Sequence, residues 1–286
     1  MKILLFITLL IFVISSCQKE NIVDSGTTTA VEKTELNLTY GTDPAQKMDI
    51  YLPSGRTSSS TKVIILIHGG AWTQQDKTDF TPYVDTLKLR LPGFAIFNIN
   101  YRLATGAINF FPTQENDVKT AIGFIFSRTD EYRISQKFVL LGASAGAHLS
   151  MLQAYKYTNP VIIKAVVDFF GPADITDMYN NPASILAPPA AIAAVVGATP
   201  ASNPALYQQS SPINFVTAQS PPTIILQGGA DVLVSPSQSV ALHTKLQTMG
   251  VVNQYVFYPT ENHGWVGADL TDSFDKIQAF LTANVN

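Results

Sequence analysis

A serine stands between two glycines in the segment GASAGAH, which spans residues 142–148. Ser144 follows the apolar run KFVLL and precedes HLSMLQAY, a stretch whose composition favours a helix. Gly142 and Gly146 leave room for a sharp strand-to-helix turn from which a hydroxyl can project, as in the G-x-S-x-G nucleophile elbow. A plain tight turn would need the same glycines, so the role of Ser144 depends on what else the chain supplies.

A serine hydroxyl needs a positioned base before it can act as a nucleophile near neutral pH. Of the four histidines, His263 lies in TENHGW, on a loop directly after the last predicted strand. We therefore predict His263 as the base. His68, in HGGAW, is predicted to brace a loop. His148 is predicted to point into the packing below its helix, and His243 to lie partly exposed on a helix surface.

The acid that orients this base is expected between the serine and the histidine in chain order. Asp231 follows the apolar run PTIILQGGA and so stands at the carboxyl end of the penultimate predicted strand. We predict Asp231 as the acid. Asp168 and Asp174, in VVDFFGPAD, stand at and just beyond the end of an earlier strand and are the alternatives.

Acyl transfer through a tetrahedral intermediate also needs N–H donors for the oxyanion. Ala145 follows the nucleophile, and its amide is one predicted donor. The segment HGGAW follows another apolar run, and small residues there let a substrate carbonyl approach the backbone closely. We predict the amides of Gly70 and Ala71 as the other donors, with Gly69 as the adjacent alternative.

These residues are far apart in sequence, so a scaffold must bring them to one edge. ELNLTYG and QKMDIYLP have the alternation of an antiparallel hairpin, whereas KVIILI, FAIFNI, KFVLL and PTIILQ are nearly continuous apolar runs. The runs alternate with segments of helical periodicity. This pattern predicts an α/β fold with a mostly parallel sheet of about eight strands and helices on both faces. Ligands bind such sheets beyond the carboxyl ends of the strands, where the predicted catalytic residues fall.

The composition excludes several other function classes. The chain has 286 residues, of which 46% are hydrophobic and 14% charged, so it can bury a large core. The net charge is −3 and no Lys/Arg cluster suits a nucleic acid, so no nucleic-acid partner is expected. Few histidines and a single cysteine argue against a zinc site. Neither a metal nor an organic cofactor is required by the predicted chemistry.

The first residues have the pattern of an export signal. Lys2 precedes the apolar run ILLFITLLIFVI, which is shorter than the roughly 20 residues of a transmembrane helix. The sequence ISSC, ending at Cys17, resembles the lipobox of bacterial lipoproteins, and this resemblance implies a lipidated Cys17 that anchors the protein in a bilayer. An ordinary signal peptide with an incidental cysteine is the alternative. Gln18 favours the outer membrane or the cell surface over the inner membrane.

The sequence therefore divides into three parts. Residues 1–16 are the predicted lipoprotein signal peptide, and residues 17–34 the lipidated N-terminus and a polar, flexible tether. Residues 35–286 are predicted to form one catalytic domain. Apart from the bilayer and the substrate, no obligate protein partner is evident.

Residues 176–212 are rich in alanine and proline and carry one charged residue, Asp177. Proline interrupts long helices, so we expect short helical turns instead of the large amphipathic lid of long-chain lipases. We predict that this segment walls one side of the cleft, limits the acyl pocket and favours acetyl to butyryl esters. Scaffold packing without substrate contact is the alternative.

The motifs together resemble a known superfamily. HGGAW, NYRL and GASAGAH resemble the hormone-sensitive-lipase-like esterases of the α/β-hydrolase superfamily. GATPASNPALYQQSSPINFV, QGGADVLVSPSQS and ENHGW are similar to bacterial acetyl xylan and feruloyl esterase-like proteins. The resemblance covers about residue 35 to the end and implies the α/β-hydrolase fold. Alanine at the third position of the H-G-G-G loop departs from the pattern but leaves the amide donor intact.

The expected activity is carboxylic ester hydrolysis through an acyl-enzyme. The resemblance implies acetyl or feruloyl groups on polysaccharide as the substrate class. A small-peptide hydrolase of the prolyl oligopeptidase type is one alternative, which a peptide-bond assay would separate. A non-catalytic hydrolase-fold protein that binds a glycan or a partner is the other, and it predicts an incomplete set of catalytic residues.

Overall fold

The structure is a computed structural model that describes residues 29–286. The predicted signal peptide, Cys17 and the tether up to residue 28 lie outside the described residues. The first strand, β1, begins at Lys33 and pairs there with Leu52 of the second strand, β2. The folded domain therefore begins slightly before the predicted boundary at residue 35, because the end of the predicted tether is held by strand pairing.

Within residues 29–286 the chain builds an eight-stranded sheet of order β1-β2-β4-β3-β5-β6-β7-β8. The strands are β1 Lys33–Thr39, β2 Lys47–Leu52, β3 Lys62–Ile67, β4 Phe94–Ile99, β5 Phe138–Ala143, β6 Ile163–Phe169, β7 Thr223–Gly228 and β8 Asn253–Tyr258. β1 pairs antiparallel with β2, and β2 pairs antiparallel with β4. The other six strands, in the sheet order β4-β3-β5-β6-β7-β8, are parallel to one another. The predicted mostly parallel α/β sheet is confirmed.

Helices cover both faces of this sheet. They are α1 Thr81–Arg90, α2 Thr113–Phe126, α3 Thr129–Tyr132, α4 Ala145–Lys156, α5 Ile175–Asn180, α6 Pro189–Val196, α7 Pro204–Gln209, α8 Pro236–Thr248 and α9 Gly267–Asn284. α1 and α9 pack on one face, and α2, α4 and α8 pack on the other. The alanine- and proline-rich segment carries α5, α6 and α7, which are short as predicted.

Successive residues of the central strands belong to opposite cores. Leu140 of β5 packs in the cluster that contains Leu149 of α4, whereas Leu141 packs in the cluster that contains Leu87 of α1. All four side chains are at most 1% exposed, and burying such a side chain contributes about 1.5–3 kcal/mol. The continuous apolar runs of the sequence are thus explained, because the central strands are buried on both faces of the sheet.

The helices of the described residues were compared with the length and hydrophobicity of a membrane span. In residues 29–286, no helix combines the length and the apolar character needed to cross a bilayer.

Candidate active site

Three predicted residues meet at the carboxyl edge of the sheet. Ser144 follows β5, Asp231 follows β7 and His263 follows β8. His263 Nδ1 lies 2.8 Å from Asp231 Oδ2, and His263 Nε2 lies 2.9 Å from Ser144 Oγ. A carboxylate only accepts hydrogen bonds, so Nδ1 donates to Asp231 and leaves Nε2 of the neutral ring to accept from the serine hydroxyl.

The turn at Ser144 is as tight as the glycine spacing indicates. Ser144 has φ +53° and ψ −118°, outside the usual regions for a non-glycine residue. A Cβ on Gly142 would lie 2.3 Å from the carbonyl carbon of Gly146, and one on Gly146 would lie 1.9 Å from the Ile67 oxygen. Both distances are far inside van der Waals contact. The two glycines therefore let β3, β5 and the start of α4 pack closely together. This close packing makes the sharp turn at Ser144 possible, from which its hydroxyl projects.

Asp231 is fixed by several donors besides the histidine. Its Oδ1 accepts from the amides of Leu233 and Val234 at 2.8 and 2.9 Å. Gln227 Nε2 donates to Oδ2 at 3.2 Å. The carboxylate is thus held as an oriented acceptor, and its side chain is 0% exposed.

The two alternative acids have other partners. Asp168 is fully buried on β6, where its Oδ1 accepts from the Gly171 amide at 2.7 Å. Burial raises the pKa of Asp168 to about 7. Asp174 caps α5 by accepting from the Asp177 amide. Neither carboxylate is bonded to His263, so the geometry favours Asp231.

The other three histidines lie in the environments expected from the sequence. The buried His68 ring stacks on Tyr101 at a centroid distance of 4.3 Å. Buried His148 contacts Ser210 O through Nε2 at 2.7 Å. Burial lowers the pKa of both His68 and His148 to about 4, so both rings are neutral near pH 7. His243 is half-buried on α8 and pairs with Asn253.

The HGGAW loop is fastened to the core by side-chain hydrogen bonds that the sequence did not indicate. The Tyr101 hydroxyl donates to the carbonyl oxygens of His68 and Gly69 at 3.0 and 2.7 Å. Trp72 Nε1 donates to His148 Nδ1 at 3.2 Å. Tyr101 belongs to the NYRL motif, which was the only sequence signal for its role.

The predicted oxyanion donors border Ser144. A Cβ on Gly69 would lie 3.4 Å from Ser144 Cβ, so the Gly69–Gly70 peptide, which carries the Gly70 N–H, lies beside the nucleophile. Among residues 29–286, no backbone or side-chain acceptor binds the N–H groups of Gly70 and Ala71. Ala145 is the first residue of α4, and N–H groups in a first turn lack an intrahelical acceptor. All three amides are therefore available to a ligand.

A cavity of about 390 Å³ opens at Ser144 and His263. It is lined mainly by apolar side chains from both faces of the sheet, and Gln74, Gln75 and Asp79 lie on its lining near the HGGAW loop. The Phe170 ring contacts the His263 ring at a centroid distance of 4.6 Å, a contact that the sequence did not indicate. The candidate nucleophile therefore faces a pocket of the size and polarity of a small-molecule site.

Backbone strain is concentrated around this cavity. Of the eight non-glycine residues with positive φ in the described chain, five line it: Ala71, Trp72, Gln75, Ser144 and Phe170. Each such residue costs on the order of 1–3 kcal/mol and persists only when its surroundings impose the conformation. Clustering of this kind is typical of functional sites.

A metal site has no support in the described part of the chain. Residues 29–286 contain no group of three or more His, Cys, Asp or Glu side chains placed to hold a metal ion.

Comparison with known proteins finds relatives that match most of the described domain. The BD-FAE family model matches residues 48–246. Esterase LipC from Mycobacterium tuberculosis is 27% identical over 82% of this chain and 59% of its own length. Esterase LipQ from the same organism is 28% identical over 71% of this chain and 50% of its own length. The chain thus spans between half and three fifths of these curated relatives.

Among the similar solved structures, one example is covered over nearly its entire length. It is a truncated form of a carbohydrate esterase from gut microbiota, 28% identical, with a TM-score of 0.75. The alignment covers 88% of this chain and 95% of that chain.

Proposed function

The chain belongs to the BD-FAE family of α/β-hydrolase esterases, and we propose that it is a serine carboxylesterase. The observation that carries the proposal is the hydrogen-bonded series Asp231–His263–Ser144 at the mouth of the cavity. The three side chains have the types, order and contacts of a nucleophile, its base and the acid that orients the base.

In the first half-reaction Ser144 Oγ attacks the ester carbonyl carbon. The hydroxyl proton passes to His263 Nε2, and Asp231 stabilises the resulting imidazolium through the Nδ1 hydrogen bond. The tetrahedral intermediate then collapses. The bond between the carbonyl carbon and the alkoxy oxygen breaks, and Nε2 gives its proton to the departing alcohol.

In the second half-reaction water replaces the alcohol. His263 Nε2 takes a proton from a water molecule while the oxygen of that water attacks the carbonyl carbon of the acyl-enzyme. When the bond to Ser144 Oγ breaks and the carboxylic acid leaves, His263 gives this proton to Ser144 Oγ. In both halves the negative charge on the former carbonyl oxygen is stabilised by the amides of Gly70, Ala71 and Ala145. Preorganised donors of this type are commonly the largest single contribution to catalysis.

We propose compact acyl groups as the substrate class, acetyl to butyryl or feruloyl esters, with acylated polysaccharide as the natural substrate. The cavity of about 390 Å³ is near the lower end of the usual range for ligand sites, roughly 300–1,000 Å³, and would not enclose a long fatty acyl chain together with an alcohol. Similarity to a carbohydrate esterase supports the glycan part of the proposal.

We further propose that the protein is an exported lipoprotein, anchored through Cys17 in the outer membrane or at the cell surface. The support is the sequence pattern of residues 1–17.

The esterase proposal is tested by labelling and turnover together. An alkyl phosphonate ester should modify Ser144 stoichiometrically, and the wild-type chain should hydrolyse p-nitrophenyl butyrate but not alanyl p-nitroanilide peptides. Ser144→Ala should lose both labelling and turnover, while His243→Ala, outside the cavity, should retain them. Labelling at another residue, or a preference for the peptide substrate, would contradict the proposal.

A further inference from the structure

Polar side chains on the lining of the cavity come mainly from one short segment. Apart from Ser144 and His263, the non-aromatic polar side chains that line it in the described chain are those of Gln74, Gln75 and Asp79, in the connection between β3 and α1. All three are exposed at the cleft. The proposed ester hydrolysis uses none of them.

Gln75 extends along the HGGAW loop toward the nucleophile. A Cβ on Gly70 would lie 2.8 Å from Gln75 Cβ, and a Cβ on Gly69 would lie 3.2 Å from Gln75 Oε1. The same Cβ on Gly69 would lie 3.4 Å from Ser144 Cβ. The Gln75 side chain therefore runs from Gly70 to Gly69, and its amide group ends beside Ser144.

The backbone of Gln75 is strained. Its φ is +73°, in the left-handed region that favours glycine. Residues with larger side chains persist in this region only where their surroundings impose it, and they are concentrated at functional sites. Glycine would form the same turn without the strain. The turn itself therefore does not require the Gln75 side chain.

The surroundings of Gln75 hold this conformation from both sides. On the N-terminal side, the Gln74 amide donates to the Gly70 carbonyl oxygen at 3.0 Å. On the C-terminal side, Lys77 Nζ donates to Asp49 Oδ2 of β2 at 2.9 Å, and both of these side chains are only 5% exposed. Gln75 thus lies between two anchored positions, which fix where its side chain enters the cleft.

The amide group of Gln75 has no hydrogen-bond partner within residues 29–286. An amide side chain both donates and accepts hydrogen bonds, as a hydroxyl group does, so the two groups are complementary. The proposed oxyanion donors are the backbone amides of Gly70, Ala71 and Ala145. This assignment leaves the Gln75 amide available to another polar group of the substrate.

We propose that Gln75 determines specificity by hydrogen bonding to a free hydroxyl next to the ester, such as the neighbouring hydroxyl of a partly acylated sugar. This inference rests on the proposed esterase function and adds the residue that recognises the hydroxylated substrate. A simple alkyl ester lacks the hydroxyl and gains nothing from the contact.

The test compares two esters that differ in one group. 2-Hydroxyethyl acetate has a hydroxyl where propyl acetate has a methyl. In the full chain, Gln75→Met keeps a side chain of similar length without the amide, and Gln75→Gly removes the side chain. Each variant should lower the hydroxyethyl-to-propyl ratio of kcat/KM by about three- to tenfold, the usual contribution of one hydrogen bond between neutral groups. Turnover of p-nitrophenyl butyrate, which has no hydroxyl, should stay near wild type.

Asn37→Gly is the matched control. Asn37 is also an exposed amide residue with positive φ, +59°, but it lies on β1 and outside the cavity lining. This variant should keep the wild-type ratio. Thermal unfolding then separates binding from a structural role. Gln75→Gly should unfold at a temperature no lower than wild type, because glycine relieves the strain and no side-chain hydrogen bond is lost.

Three results would overturn the inference while leaving esterase activity established. An unchanged ester ratio in Gln75→Met would exclude the hydroxyl contact. An equal loss on the two acetates and on p-nitrophenyl butyrate would show that Gln75 acts on the ester group that all three share. A lower unfolding temperature of Gln75→Gly would make the side chain a structural one. A wild-type chain that hydrolyses none of the three esters would instead refute the proposed function.

Discussion

At the scale of single residues, the first prediction rests on the 2.9 Å contact between Ser144 Oγ and His263 Nε2. Ser144→Ala and His263→Ala should each lower kcat by at least about ten-thousandfold, and the double variant should lose little more, because residues that act as a unit show non-additive losses. Turnover of p-nitrophenyl butyrate by the three purified variants provides the measurement. Independent, additive losses would show that the two residues do not share a step.

The carboxylates provide a second prediction at this scale. Asp231→Asn cannot accept the Nδ1–H in the same way and favours the wrong imidazole tautomer, so kcat/KM should fall by roughly three to four orders of magnitude. Asp168→Asn and Asp174→Asn should retain most activity because neither side chain is bonded to His263. If Asp168→Asn were the inactive variant, Asp231 would lose its assigned role.

Asp168 also predicts a pH dependence of stability. Its pKa is raised to about 7 by burial, from an ordinary value near 3.8. Between these values the folded state binds a proton that the unfolded state has lost, so the free energy of unfolding falls as the pH rises from about 4 to 7. Asp168→Asn should remove this contribution and be more stable than wild type at pH 8, with little difference at pH 4. Urea unfolding of both proteins across this pH range provides the test. A difference in the free energy of unfolding between variant and wild type that does not grow with pH would contradict the prediction.

Residue types and their order predicted that Ser144, Asp231 and His263 would meet at one edge of the sheet, because each follows an apolar run that becomes a parallel strand, and the structure brings the three side chains together. The contacts that hold the site were not predictable in the same way. The Trp72–His148 hydrogen bond and the Phe170–His263 contact depend on ring orientations that are set by packing between elements distant in sequence.

At the scale of elements, the elbow between β5 and α4 depends on close backbone approach. Gly146→Ala would place a Cβ 1.9 Å from the Ile67 oxygen, so β3 and α4 would have to separate. We expect a loss of stability of several kcal/mol, comparable to severe overpacking or more, together with loss of activity.

Gly123→Ala is the matched control for this element. Gly123 lies inside α2 with open space where a Cβ would stand, and alanine is favoured over glycine in a helix by roughly 0.5–1 kcal/mol. It should stabilise the protein without altering kcat. Thermal unfolding of both variants is the measurement, and equal stabilities would show that the elbow tolerates a side chain.

The strands were predictable because continuous apolar runs leave few other interpretations, and the prolines of residues 176–212 correctly indicated short helices. The set of side chains that lines the cavity was not predictable. It depends on how α1 and α9 dock on one face while α5 and α6 lie on the other, and a one-dimensional pattern does not specify that arrangement.

At the scale of the whole molecule, export and anchoring remain predictions from residues 1–17. Radiolabelled palmitate should enter the wild-type protein and not Cys17→Ala, and the variant should leave the membrane fraction. Equal membrane retention of both proteins would contradict lipidation at this cysteine.

The direction of β1 sets the edge of the sheet at which the N-terminal residues join the fold. β1 is antiparallel to β2, which is antiparallel to β4, so β1 runs in the same direction as the parallel strands. Lys33 therefore lies at the amino edge of the sheet, opposite the edge where Ser144 and His263 stand. A chain attached through Cys17 would therefore be tethered at the edge of the sheet opposite its cleft, so the attachment itself would not cover the cleft.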